Sequence, residues 1–286
     1  RMSISRQNLT IIIVTFKSEN VIHTCLKSLP QNSKKIIIEN SKNTKLKDEL
    51  VSKYENIEVL MNQNLGMGAS NNIGILRSNT QFVYILNPDT KLNELTLNKL
   101  FEATDKIDDF AILSPLSSNN NFPNYKIFKK KKDFNDQIIE VDTIDGYSML
   151  INKNKFNNSF FDENFFLYLE NEDLCKRLIE KNEDIYIVPK SKIHHLGGKA
   201  VDPKYKNEIE YLRNWHWMWS KFYFNKKHYG YLIALMKVFK NLISAKIRFF
   251  YYLITLNSFK RKIYQMRLLG LISSMRGKNS YYRPKI

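Results

Sequence analysis

The amino-acid sequence predicts an α/β protein: a mostly parallel, doubly wound sheet followed by a basic, aromatic helical extension. Three observations carry this reading. Short β-branched runs alternate with helical segments through the first two hundred residues, as βαβ units require. The charge divides sharply: of 45 Lys and Arg against 28 Asp and Glu, residues 199–286 hold 19 basic and 3 acidic side chains, leaving 1–198 nearly neutral. Finally, 43% hydrophobic and 13% aromatic residues over 286 positions can bury a substantial core, which excludes wholesale disorder. The chain is therefore read as two regions, 1–200 and 201–286.

Taken in order, Leu9–Phe16 is a continuous apolar run suited to a strand covered on both faces. Ser18 is placed to cap a helix in which Ile22, Leu26 and Leu29 recur at helical spacing. Lys35–Glu39 and Ile57–Met61 read as the next strands. Gly66–Leu76 reads as a loop entering a helix, and Phe82–Leu86 as a further strand. A helical stretch near Leu95–Ala103 precedes strands at Ala111–Pro115, Ser148–Ile151 and Ile185–Val188. Leu174, Cys175, Leu178 and Ile179 mark a helix starting near Glu170. The two cysteines, Cys25 and Cys175, cannot form a disulfide framework or a four-thiolate zinc site; both fall on apolar helix faces and are read as core.

In open α/β sheets, ligands lie beyond the carboxyl ends of the strands. Here those ends read Thr15-Phe16, Glu39-Asn40-Ser41, Asn62–Asn64 and Asn87-Pro88-Asp89. Turns use the same residue types, but four such ends along one edge suit a nucleotide, a sugar or a metal. Neither GxxxxGK[ST] nor GxGxxG is present, so a bound diphosphate needs another partner, such as a divalent ion held by carboxylates.

Six segments then carry a resemblance: IIIVTFKSE (11–19), IIIENSKN (36–43), NQNLGMGASNNIGI (62–75), YILNPDT (84–90), FDENFFLYLENEDLCKRL (161–178) and VPKSKIHHLGG (188–198). In order and spacing they resemble the inverting glycosyltransferases of family 2, of GT-A fold, and among these the rhamnosyltransferase-like members. The resemblance implies direct displacement at an anomeric carbon. One carboxylate acts as base on the acceptor hydroxyl, and Mg²⁺ or Mn²⁺ sits at the departing diphosphate. It assigns Asp89 and His195 to the metal, with Asn87 in place of the usual first acid. Thr15, Phe16, Glu39, Asn40, Asn64, Gly66, Asn72 and Gly146 fall to the donor, as do Asn87 and Asp89. Gly197 and Gly198 would allow backbone to approach a phosphate.

The sequence departs from the family pattern at Asn171, where the usual base is Asp. A neighbouring acid is expected to take over, in the order Glu172, Asp173, Glu170. Aromatic bulk before Glu170 would favour proton abstraction there; acids in a first helical turn also serve simply as dipole partners.

Residues 201–286 read as aromatic helices whose longest uncharged run, Phe249–Phe259, is eleven residues. A membrane span needs about 20, so the region is expected to lie on an anionic membrane surface. Homodimerisation could coexist with this, and nucleic acid is disfavoured because no recognition motif accompanies the charge. The Lys129–Lys132 run reads as a solvated loop or an acceptor-phosphate contact. No charged-then-apolar leader is seen, so a cytoplasmic protein peripheral to the membrane is expected. The acceptor implied is a glycan or a lipid-linked sugar in bacterial surface polysaccharide synthesis. Two other readings remain: a nucleotidyltransferase, whose Gly- and Lys-rich loop is missing, and a non-catalytic membrane- or nucleic-acid-binding protein with a degenerate transferase domain.

Overall fold

A computed structural model describes residues 8–107, 109–128, 133–134 and 138–286. The Lys129–Lys132 run lies outside these residues. In chain order the elements are β1 (Leu9–Thr15), α1 (Glu19–Lys27), β2 (Lys34–Glu39), α2 (Thr44–Lys53), β3 (Ile57–Met61), α3 (Met67–Arg77), β4 (Phe82–Leu86) and β5 (Thr90–Leu92). There follow α4 (Thr96–Thr104), β6 (Ile112–Ser117), β7 (Tyr125–Lys126), β8 (Asp133–Phe134), β9 (Ile138–Glu140), β10 (Thr143–Ile144) and β11 (Ser148–Asn152). The chain ends with α5 (Glu170–Glu180), β12 (Ile185–His195), α6 (Lys206–Tyr229), α7 (Tyr231–Ile254) and α8 (Ser258–Met275).

The main sheet runs β3-β2-β1-β4-β11-β6-β12-β9-β8, with β5 added to β12. Its first four strands are parallel, as is the β6–β12 pair; β11 runs antiparallel between β4 and β6. Alternation along the strands explains the double winding. Ile11, Ile13, Tyr84 and Leu86 face a core closed by Ile22, Leu26 and Leu50 of α1 and α2 and by Leu97 and Leu100 of α4. Ile12, Val83 and Ile85 face the opposite core, closed by Ile75 of α3 and by Leu174, Cys175 and Leu178 of α5. The continuous apolar reading of Leu9–Phe16 thus reflects a strand with both faces covered.

Two expectations need correction in detail. Ser18 occupies the N-cap position of α1 without capping it: its hydroxyl donates to the Phe16 carbonyl and accepts from the Phe16 N–H. And β12 does not stop at Val188 but continues to His195, past an irregularity in its pairing with β6.

The chain forms two compact units. One comprises residues 1–162 and 171–202. The other comprises 163–170 and 203–286, so a short segment that the sequence reading placed with the first region groups with the C-terminal helices. Within the second unit Met218, Phe222, Ala234, Val238 and Leu271 form an apolar centre joining α6, α7 and α8. Trp215, Trp219 and Met266 form a neighbouring cluster. The 163–170 segment packs aromatic on aromatic against α6: Phe165 meets Tyr223 edge-on and Phe166 stacks on His216. Among the described residues no helix is long and apolar enough to cross a membrane.

Candidate active site

Parallel register brings the polar strand ends together. Thr15 pairs with Glu39, Glu39 pairs with Met61, and Ile13 pairs with Leu86. Asn62, Asn40, Phe16 and Asn87 therefore emerge side by side from four adjacent strands. Several of these side chains are used locally. Buried Glu39 accepts from the Ser41 and Asn43 N–H groups at 2.9 and 2.8 Å, bracing the turn after β2. Asn40 donates to Ser70 Oγ at 2.8 Å, and Thr15 lies buried with its hydroxyl toward the Ile38 carbonyl. Asn72 makes two bonds with the Phe161 backbone, tying α3 to the chain before α5. Phe16 is half-buried. At the mouth of α3, Asn64 Oδ1 accepts from the N–H of Gly66, whose φ of 95° explains the glycine.

The Asn87-Pro88-Asp89 turn follows β4. Asp89 is 2% exposed, and its Oδ2 accepts from the Lys199 N–H at 3.2 Å. Its Oδ1 lies 3.3 Å from His195 Nε2. That approach lacks hydrogen-bond geometry, so Oδ1 is left, like Asn87 Oδ1, as a buried oxygen without a hydrogen-bond partner. Burying such groups unpaired is costly, so this turn has two acceptors to offer a bound group. The pairing of β12 with β5 sets His195 opposite Thr90, beside Asp89. Tyr147 stacks on the His195 ring with centroids 4.0 Å apart, and its carbonyl accepts from the Asn87 N–H at 3.0 Å. Burial pushes the Tyr147 phenol up to about 12, so it remains protonated. His194 points elsewhere, exposed, with Nδ1 3.3 Å from Ser118 Oγ.

One carboxylate and one imidazole fit Mn²⁺, which accepts nitrogen beside oxygen, better than Mg²⁺, for which only the Asp89 carboxylate is a suitable donor. No cluster of three or more His, Cys, Asp or Glu occurs among the described residues, so oxygens of a bound diphosphate would complete the shell. Gly197 and Gly198 follow with φ of 63° and 70°; a side chain on Gly197 would meet no protein atom, so its glycine serves the left-handed turn.

The acids of α5 separate into distinct environments. Asp173 is fully buried and accepts from Arg177 Nε at 2.8 Å. Glu172 accepts from Lys126 Nζ at 2.6 Å. Glu170 opens the helix and belongs to the second unit. Just before it Tyr168 and Leu169 are both left-handed, with φ of 70° and 65°. Such strain costs each residue about 1–3 kcal/mol and gathers at functional segments. Asn171 donates from Nδ2 to the Ile144 carbonyl at 2.8 Å, and Gly146 packs against its Cβ. The stacking of Tyr147 was not anticipated from sequence; its place directly after Gly146, which the resemblance assigns to the donor, was the available signal.

A parallel-dominated sheet with polar ends along its carboxyl edge and helices on both faces is the mixed α/β architecture of the GT-A fold. Residues 10–170 match the pattern of glycosyl transferase family 2, and the chain belongs to that family. It is 26% identical over 200 residues to the low-salt glycan biosynthesis hexosyltransferase Agl10 of Haloferax volcanii, over 62% of this chain and 64% of that protein. The chain thus spans less than two thirds of that relative's length. Among solved structures, residues 1–349 of S. aureus TarS in complex with UDP superpose with a TM-score of 0.53 at 14% identity, covering 97% of this chain and 94% of that one. GalNAc-T7 with UDP, GalNAc and Mn²⁺ gives a TM-score of 0.53 at 15% identity, covering 65% and 43%. At such identities the likeness is one of fold.

Proposed function

We propose that the protein is a metal-dependent inverting glycosyltransferase. It moves a sugar from a nucleoside diphosphate donor, dTDP-L-rhamnose or a UDP-sugar, to a glycan or lipid-linked acceptor in surface polysaccharide synthesis. The observation that carries this is the Asp89–His195 pair beside Asn87, with Asp89 Oδ1 and Asn87 Oδ1 buried without a hydrogen bond, on the edge where four parallel strands end. The Agl10 relative, a glycan biosynthesis hexosyltransferase, supports a glycan as product, and the UDP, UDP-GlcNAc and Mn²⁺ bound by structural neighbours support the donor class and the metal. Asp89 and His195 would hold the ion, which when bound neutralises charge developing on the departing diphosphate. Phe16 and Asn40 line the nucleotide side, and buried Thr15 backs them through its carbonyl, which accepts from the Asn40 N–H. Glu39 and Asn72 support that pocket by fixing its backbone rather than by touching the base. Tyr147 holds the His195 ring in plane, and a carboxylate on the acceptor side takes the hydroxyl proton.

The second unit supports attachment to an anionic lipid surface. On α7, Leu232, Met236, Phe239, Ile243, Ile247, Phe250 and Ile254 recur at three- and four-residue spacing, each at least 40% exposed. Ala234, Val238 and Ala245 turn inward instead. Lys237, Lys240, Lys246 and Arg248 flank the stripe, and no acidic residue follows Glu210. An apolar stripe flanked only by cations is complementary to an anionic membrane interface.

The testing experiment is a thermal-shift screen of UDP and dTDP sugars with and without Mn²⁺. The wild type is expected to be stabilised by one donor only when metal is present, and Asp89→Asn and His195→Ala are each expected to abolish the metal-dependent part. Stabilisation that ignores Mn²⁺, or survives both substitutions, would overturn the metal assignment. Failure of every sugar nucleotide to bind or turn over would favour a non-catalytic binder.

A further inference from the structure

At the position where the family resemblance places the base, this chain holds an amide whose donor is committed. Asn171 Nδ2 donates to the Ile144 carbonyl at 2.8 Å. A side chain added at Gly146 would begin 3.4 Å from Asn171 Cβ, so the two backbones pack closely. Asn171 therefore grips the turn between β10 and β11 on both sides of a single residue, Asp145. An ionised carboxylate at 171 would face the Ile144 carbonyl acceptor to acceptor, so the turn requires the amide.

Asp145 differs from the other acids nearby. Glu172 is paired with Lys126, Asp173 with Arg177, and Glu39 with two backbone amides. The Asp145 carboxylate has neither a hydrogen bond nor an ion pair among the described residues, while its backbone N–H is anchored to the Asn124 carbonyl at 2.9 Å. Its surface is accessible to solvent. Even so, surrounding protein raises its carboxyl above the ordinary range, chiefly by desolvation; Lys126 and His195 oppose this and Glu172 adds to it. The carboxylate is thus open to solvent on one side and screened by protein on the other. Two residues on, Tyr147 lies against His195, so the turn that carries Asp145 also abuts the metal pair.

We infer that Asp145 is the general base of the transfer, held in place by Asn171 as its positioning residue. The assignment rests on the transferase reading above. In the step, an Asp145 oxygen takes the proton of the acceptor O–H and the freed oxygen pair forms the new bond to the anomeric carbon. The bond from that carbon to the diphosphate oxygen breaks with its electron pair, which leaves on the nucleoside diphosphate. Asp145 then returns the proton to solvent.

The test uses the full chain with Mn²⁺, a panel of UDP and dTDP sugars, and water as acceptor, reading nucleoside diphosphate released. Asp145→Asn is expected to lower kcat by about 10²–10⁴-fold, with the donor KM and the melting temperature unchanged. Asp145→Ala is expected to lose the same factor and to recover part of it when formate supplies an external carboxylate. A kcat for Asp145→Asn within about threefold of wild type, or a larger loss in Glu172→Gln, would overturn the assignment. So would loss in Asp145→Ala that formate does not relieve. A wild type that neither binds any of the sugar nucleotides nor releases nucleotide from them would instead refute the transferase reading, and the base with it.

Discussion

Replacing Asp173 with Asn separates a structural acid from a chemical one. Asp173 is wholly buried and its Oδ2 accepts from Arg177 Nε at 2.8 Å, four residues along α5. Arg177 also reaches the Phe160 carbonyl, clamping α5 to the chain that precedes it. Asn matches the volume but removes the charge that the guanidinium faces. Breaking a buried pair costs about 3–5 kcal/mol when the survivor is left fully buried. Here the Arg177 side chain is 21% exposed and keeps its bond to Phe160, so the loss of one charge-assisted bond, about 1.5–3 kcal/mol, sets the scale. For a unit of roughly 200 residues each kcal/mol lowers the melting temperature by about 2–4 °C, giving a fall of about 3–12 °C. Thermal denaturation measures this, and kcat of the folded variant on the donor that binds measures the chemistry. The expected result is a lowered melting temperature with kcat within a few-fold of wild type. An unchanged melting temperature with a hundredfold loss of kcat would refute the reasoning and return Asp173 to the reaction.

On α7, Ile247→Glu with Phe250→Glu removes two exposed apolar side chains, each contributing about 1–2 kcal/mol on burial; sedimentation with anionic vesicles should weaken by at least thirtyfold, and equal binding to neutral vesicles would count against the charge argument. Burial pushes both cysteine thiols up to about 12, so a thiol reagent at pH 8 should label neither Cys25 nor Cys175 in the native protein and both in urea; rapid native labelling would contradict their core placement. His216 is lowered to about 3, mainly by burial, so the unfolded chain takes up a proton below about 6.5 that the folded chain refuses. Its contribution is therefore complete above that pH and is lost as pH falls, by up to about 1.4 kcal/mol per unit. Urea titrations at pH 7, 6 and 5 should show a shallower decline in His216→Gln than in wild type.

The sheet was legible because its central strands are apolar runs covered on both faces, whatever their pairing order. Leu9–Thr15, Lys34–Glu39 and Phe82–Leu86 announce themselves in that way, and their polar ends follow from parallel register. What escaped was set by contacts between distant positions. Three residues, Thr90–Leu92, carry too little pattern to be read as a strand, yet β5 is what brings His195 to Asp89. Pro189 and Lys190 interrupt the apolar run of β12, hiding its continuation to His195. Glu39 and Asn72 have the right types for ligand contact, but their partners are backbone groups that no spacing rule reveals. Asn171 reads as a lost base until its bond to Ile144 shows what the amide holds.

The irregularity in β12 has a consequence for how this family of sites can change. Between Val188 and Lys192 that strand advances four residues while its partner β6 advances one, from Pro115 to Leu116. Everything downstream inherits that offset, including the place opposite Thr90 that His195 now fills. Because neighbouring residues on a strand point to opposite faces, one residue gained in the bulge would hand this place to His194. An imidazole would still face Asp89. One residue lost would put Leu196 there and leave Asp89 with no imidazole beside it. Adjacent histidines therefore act as a spare against insertion but not against deletion, and length variants of 189–191 should be tolerated in one direction only.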